Sequence, residues 1–117
     1  MDVREVLVKM LDILQEKEWI QGNLYKYNDI MRHHIEGVCL EGACNLAVDT
    51  EVLPLRAQGF LRSAVNASVL DAAAYLFPEK TPPWATAMFQ FNDYEGVSRE
   101  DVILTVKTAI ERLDSSS

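Results

Sequence analysis

An all-α fold, a compact single-domain bundle of about five helices, is the class this sequence predicts. Three observations carry it. Apolar residues recur at helical spacing over most of the chain. Helix-start signals stand immediately before the periodic stretches. Prolines and isolated glycines separate them. The 117 residues suit one domain spanning 1–117, with 114–117 as a frayed tail. A chain of this length buries roughly two-thirds of its unfolded surface, so it needs neither metal nor disulfide to fold.

The first helix is predicted from about residue 3 to about residue 18. Val3, Val6, Leu7, Met10, Leu11 and Leu14 share one face, and Lys9, Asp12, Gln15 and Glu16 fill the other. Asp2 is its cap, with Glu5 as the box partner, and Gly22 ends it or follows its end closely. Residues 22–36 then read as a connection. Asn23, Tyr25, Tyr27, Asn28 and Asp29 suit loop or extended backbone, Ile30, Met31 and Ile35 a short helical turn, and the His33-His34 pair lies here.

Val38 to Val48 is apolar and rich in small residues, which predicts a buried helix, with a buried strand as the alternative. Gly42 and Ala43 leave room for a neighbouring helix to approach closely. After Pro54, a long helix is predicted from Arg56 to Phe77. Phe60, Leu61, Ala64, Val65, Ser68, Val69, Ala72, Ala73 and Leu76 form its apolar face, and Gly59 and Asn66 mark a place for a break. Pro78 stops it. Thr81-Pro82 looks like the start of a short helix with Trp84, Met88 and Phe91 on one face, ending near Asn92-Asp93. Ser98-Arg99-Glu100-Asp101 is a capping box for the last helix, whose stripe is Val102, Val106, Ala109, Ile110 and Leu113.

A net charge of -7, with scattered basic residues, argues against a phosphate-backbone binder, so no nucleic-acid partner is expected. The acidic residues are dispersed too, which suits a soluble surface better than an imitation of DNA. No apolar run is long enough to cross a membrane, and Met1-Asp2-Val3-Arg4-Glu5 is not the head of a signal peptide, so the cytoplasm is the expected compartment. Cys39 and Cys44 are expected to be reduced there, and on one helix they would lie on different faces.

Three motifs carry a family resemblance: Trp19-Ile20-Gln21-Gly22, Cys39-Leu40-Glu41-Gly42-Ala43, and Phe91-Asn92-Asp93-Tyr94-Glu95-Gly96-Val97-Ser98. In order and spacing they resemble a domain-of-unknown-function family of small proteins from actinobacteria and their bacteriophages. That family's pattern is Trp-x-Gln-Gly, Cys-x-x-Gly-Ala and Trp-Asn-Asp before a capped helix. Phe91 stands where the family usually has Trp, and Cys44 where an aliphatic residue is usual. The resemblance implies a type of protein, of actinobacterial or phage source and accessory status, and it implies no reaction.

Each chemical reading has a plainer one beside it. Cys39 could act as a nucleophile with His33 or His34 as base and Asn92 or Asp93 as orienter; otherwise it is a packed thiol beside Gly42 and Ala43. His33, His34, Cys39 and Cys44 lack the paired short loops of zinc sites, so no metal is expected. Asn92 and Asp93 could line a polar pocket or simply close a helix and its loop. Among Trp19, Tyr25, Tyr27, Trp84 and Phe89, the pair Tyr25 and Tyr27 is the candidate interaction surface, the others suiting core packing. The five glycines are isolated, no phosphate loop occurs, and no cofactor is expected.

The first functional expectation is therefore a small cytoplasmic protein-interaction module that, if phage-encoded, modulates a host protein. The second is a small-molecule-binding or thiol-dependent enzyme with its site near Cys39, His33 and Asp93. The third is a self-associating structural accessory.

Overall fold

Asp2 starts the first helix as its composition requires: its carboxylate accepts the backbone N–H of Glu5 at 2.9 Å. The structure, a computed structural model, describes residues 1–28, 30, 34–50 and 52–115. Helix α1 is Val3–Glu16 and is followed by strands β1 (Glu18–Trp19), β2 (Tyr25–Tyr27) and β3 (Ile35–Val38). Helices α2 (Leu40–Val48), α3 (Leu55–Leu76), α4 (Met88–Asn92) and α5 (Arg99–Ser115) complete the order.

The all-α expectation is corrected by the strands. They form a three-stranded mixed sheet in the order β1-β3-β2, with β1 parallel and β2 antiparallel to β3. The fold is α+β, with 61% of the described residues helical and 8% in strands. The physical reason lies in residues 17–38. Trp19, Tyr25, Tyr27, Ile35 and Val38 are residues that favour a pleated surface. The strands are too short to display alternation, and a bulge between Lys26 and Tyr27 breaks the register of the longest pairing. Ile35, expected in a helical turn, is the first residue of β3 instead. Met31 lies outside the described residues.

The core is one cluster built from α1, α2, α3 and α5, with Met88 and Phe91 of α4 joining it. Helix α1 packs on α2 and α5, and α3 lies along α5. Val6, Leu7, Met10 and Leu14 of α1 are buried, as are Val102, Val106 and Ala109 of α5. Ser98 and Asp101 exchange hydrogen bonds at 3.2 and 3.1 Å, closing the capping box of α5. Helix α3 runs unbroken past Gly59 and Asn66. Of its expected apolar face, Val65, Val69, Ala72 and Ala73 are buried, while Phe60 and Ala64 face outward.

Two further expectations change. Gly42 does admit close backbone approach, but there from the segment entering β2, while α1 packs on α2 elsewhere. A Cβ on Gly42 would collide with the Leu24 carbonyl oxygen and stand 3.1 Å from Tyr25 Cε1. The helix expected from Thr81 is only α4, because the Thr81 hydroxyl is spent donating to Phe77 O at 3.0 Å at the end of α3. Gln90 Oε1 then accepts the N–H groups of Thr86 and Ala87 at 2.7 and 3.0 Å, so α4 starts late. Trp84 is left 67% exposed, off any helix.

Candidate functional site

Asn92 is polar and fully buried at the end of α4, and it is the point on which the three sequence motifs converge. Its Oδ1 accepts the indole N–H of Trp19 at 2.7 Å and the backbone N–H of Leu40 at 3.1 Å. Its Nδ2 donates to Ile20 O at 3.1 Å and to Asp93 Oδ1 at 2.9 Å. Both acceptor lone pairs and both N–H groups of the amide are thereby used. Gln21 Nε2 donates to Asn92 O at 2.9 Å, and Asp93 Oδ1 also accepts the Gly22 N–H at 2.9 Å. Gly22 makes that turn with φ +86, a conformation side chains resist.

Residues separated by some seventy positions thus form one latch, joining the end of β1, the start of α2 and the end of α4. Phe91, beside it, is fully buried and stacks on Phe77 with centroids 6.1 Å apart. Ala43 is fully buried in the core. Asn92 and Asp93, expected either to line a pocket or to close their own loop, bind a distant segment. Asp93 is also exposed and lines a cleft.

That cleft encloses about 270 Å³ between Gly22, Asn23, Leu24, Cys39, Glu41, Phe89 and Asp93. A second, of about 270 Å³, lies on the other side of Glu41 and is lined by Cys44, Asn45, Arg62, Asn66 and Met88 among others. Glu41, in the first turn of α2, therefore forms the crest between them. Its carboxylate accepts no hydrogen bond from any described residue. Partial burial, and secondarily the charge of Asp93, raise its pKa above the ordinary 4.5. Leu24 and Phe89 stand on the rim, each 42% exposed. On the far side Arg62 is occupied, donating to Asn45 Oδ1 at 3.0 Å and Asp49 Oδ1 at 3.2 Å and so tying α3 to α2.

Cys39 and Asp93 are brought to the same cleft, but the thiol is not presented as a nucleophile. Cys39 is 2% exposed, and its Sγ caps α2 by accepting the Gly42 N–H at 3.4 Å. Burial pushes its pKa up, against the N–H groups of Gly42 and Glu41. Cys44 is equally buried, and burial pushes its thiol to about 12. His33 lies outside the described residues, and His34 is exposed. Among the described residues, no group of three or more His, Cys, Asp or Glu gathers as a metal site.

Tyr25 and Tyr27 meet edge to face at 6.1 Å. Tyr25 is half-buried against Gly42, and burial raises its hydroxyl pKa; Tyr27 is 49% exposed. Glu41 and Leu24 were not singled out by sequence reasoning. The one signal for Glu41 was its place inside the Cys-x-x-Gly-Ala motif. Leu24 carried none. Among the described residues, no helix is long and apolar enough to cross a membrane.

The model of a protein family described as "Family of unknown function (DUF6197)" matches residues 1–112, and the chain belongs to that family. No curated protein and no solved structure matches it.

Proposed function

With that membership as the premise, we propose that the protein is a small binding module whose recognition surface is the cleft beside Glu41. The cleft takes a basic side chain, lysine or arginine, of a protein partner. The observation that carries this is the Glu41 carboxylate, which accepts no hydrogen bond from any described residue at the crest of the cleft, with Asp93 beside it. Two carboxylates offer a cation its charge partners, and Leu24 and Phe89 offer its aliphatic stem an apolar rim. The phenyl face of Phe89 adds a surface on which a guanidinium can stack.

The latch around Asn92 holds both walls of the cleft in fixed relation, so little order has to be gained on binding. The net charge of -7 steers basic partners toward the molecule. In an actinobacterial or phage setting this reading describes a cytoplasmic accessory protein that engages a host protein. The thiol-enzyme alternative is disfavoured by Cys39, whose sulfur is already committed as a helix cap.

Affinity capture from actinobacterial lysate tests the reading. Wild type should retain a partner that Glu41→Gln and Phe89→Ala both lose while Tyr27→Ala retains it. Equal recovery on all four baits would contradict the cleft as the recognition surface.

A further inference from the structure

Helix α3 is the longest in the molecule, and its outward face has no partner within the described chain. Arg56, Phe60, Ser63, Ala67 and Asp71 recur at spacings of three and four, so they form one stripe, and all five are exposed. Phe60 leaves 70% of its surface in solvent. The stripe carries one arginine and one aspartate and is itself neutral, in a chain whose net charge is -7. It is therefore the surface on which two copies of an acidic chain can meet without repulsion. Gly59 lies at the margin of this stripe. A Cβ there would meet nothing within 4 Å, and its φ is not positive, so nothing inside the molecule requires glycine at a helical position that glycine weakens.

We propose that this face is a self-complementary interface, on which α3 of a second copy of the chain packs antiparallel about a two-fold axis between Ser63 and Ala64. The pattern of the stripe supplies the register. Arg56 and Asp71 are equidistant from that point, about 11 Å to either side at 1.5 Å rise per residue. An isologous arrangement therefore sets each Arg56 opposite the partner's Asp71, forming the same ion pair twice. Neither side chain makes a hydrogen bond or ion pair with any described residue of its own chain. Phe60 falls opposite the partner's Ala67, a large residue facing a small one. The small Ser63 and Ala64 at the axis let the two backbones approach closely. Ser63 lines the cleft on the far side of Glu41, but the proposed recognition cleft, with Leu24, Phe89 and Asp93, shares no residue with the stripe, so this inference does not rest on the proposed function.

Sedimentation equilibrium of the whole protein, across the micromolar range, reads the interface directly. Wild type should shift with concentration from the 13.2 kDa monomer toward twice that mass. Arg56→Glu and Asp71→Arg, each putting like charges opposite one another, should each weaken dimerisation at least about tenfold. Arg56→Glu combined with Asp71→Arg should restore it. Circular dichroism of the three variants checks that the fold is kept, as exposure at both positions leads us to expect. A wild type that stays monomeric, single variants that dimerise as well as wild type, or a double variant no better than the singles would each overturn the proposal.

Discussion

Removing the Asn92 side chain should unlatch the motif residues from one another. In Asn92→Ala, Trp19 Nε1, Leu40 N and Ile20 O all lose their partner, and Asp93 loses one of its two donors. The magnitude depends on whether water can replace the amide. The Leu40 N–H is buried, so it should carry a full desolvation cost of about 1–3 kcal/mol. Trp19 and Ile20 are half-buried, so water recovers part of their loss, leaving about 1 kcal/mol between them. The total is about 3 kcal/mol, a large share of the roughly 5–15 kcal/mol typical of a domain. At this chain length it should lower Tm by about 10–15 °C. Urea denaturation followed by Trp fluorescence measures it, and also reports Trp19 directly. A loss below about 1 kcal/mol would refute the reasoning, since it would mean that the orphaned groups were never buried.

Further outcomes follow from particular residues. Gly42→Ala should destabilise by about 1–3 kcal/mol despite its better helix propensity, because its Cβ strikes the Leu24 carbonyl, whereas Gly59→Ala in dilute monomer should stabilise by about 0.5–1 kcal/mol; paired thermal melts decide both. Both thiols should resist iodoacetamide in the native protein at pH 8 and react only on unfolding, with Cys44, at about 12, the more resistant. Partial burial pushes the Asp101 carboxyl up, but hydrogen bonds from Lys80 and Ser98 outweigh it and hold the pKa below the ordinary 3.8. Folding then binds fewer protons at Asp101 than unfolding, so its contribution is complete above 3.8 and is lost as pH falls through the lower folded value; acid melts of Asp101→Asn should be flatter there than wild type. Conversely, the raised pKa of Glu41 means that cation binding in the cleft should fade at a higher pH than an ordinary glutamate would allow, which a pH series of titrations would show.

Helices α1 and α5 were legible because each carries a full helical period and a capping signal, and α3 because prolines bound a long periodic stretch. Asp2 and the Ser98-Asp101 box perform as caps where the spacing placed them. The sheet was not legible, because strands of two to four residues hold too few side chains to show a period. The Thr81-Pro82 signal misled because a hydroxyl can close the preceding helix as readily as open the next. The motif residues could be picked out, but their purpose could not. Asn92 reads locally as a helix terminator, and its partners Trp19, Ile20 and Leu40 are brought to it only by the tertiary fold. Glu41 escaped notice for the converse reason: a glutamate in the first turn of a helix is ordinary, and only the two clefts flanking it set it apart.

The central claim, that the cleft beside Glu41 receives a basic side chain, is tested most directly by an amide-resolved NMR titration. The ligands are the N-acetyl methylamides of arginine and of citrulline, its neutral near-isostere. The account predicts saturable shifts centred on Leu24, Glu41 and Phe89 with arginine, weak or absent shifts with citrulline, and loss of the arginine response in Glu41→Gln. No saturable arginine response, an equal one with citrulline, or shifts centred elsewhere would contradict it.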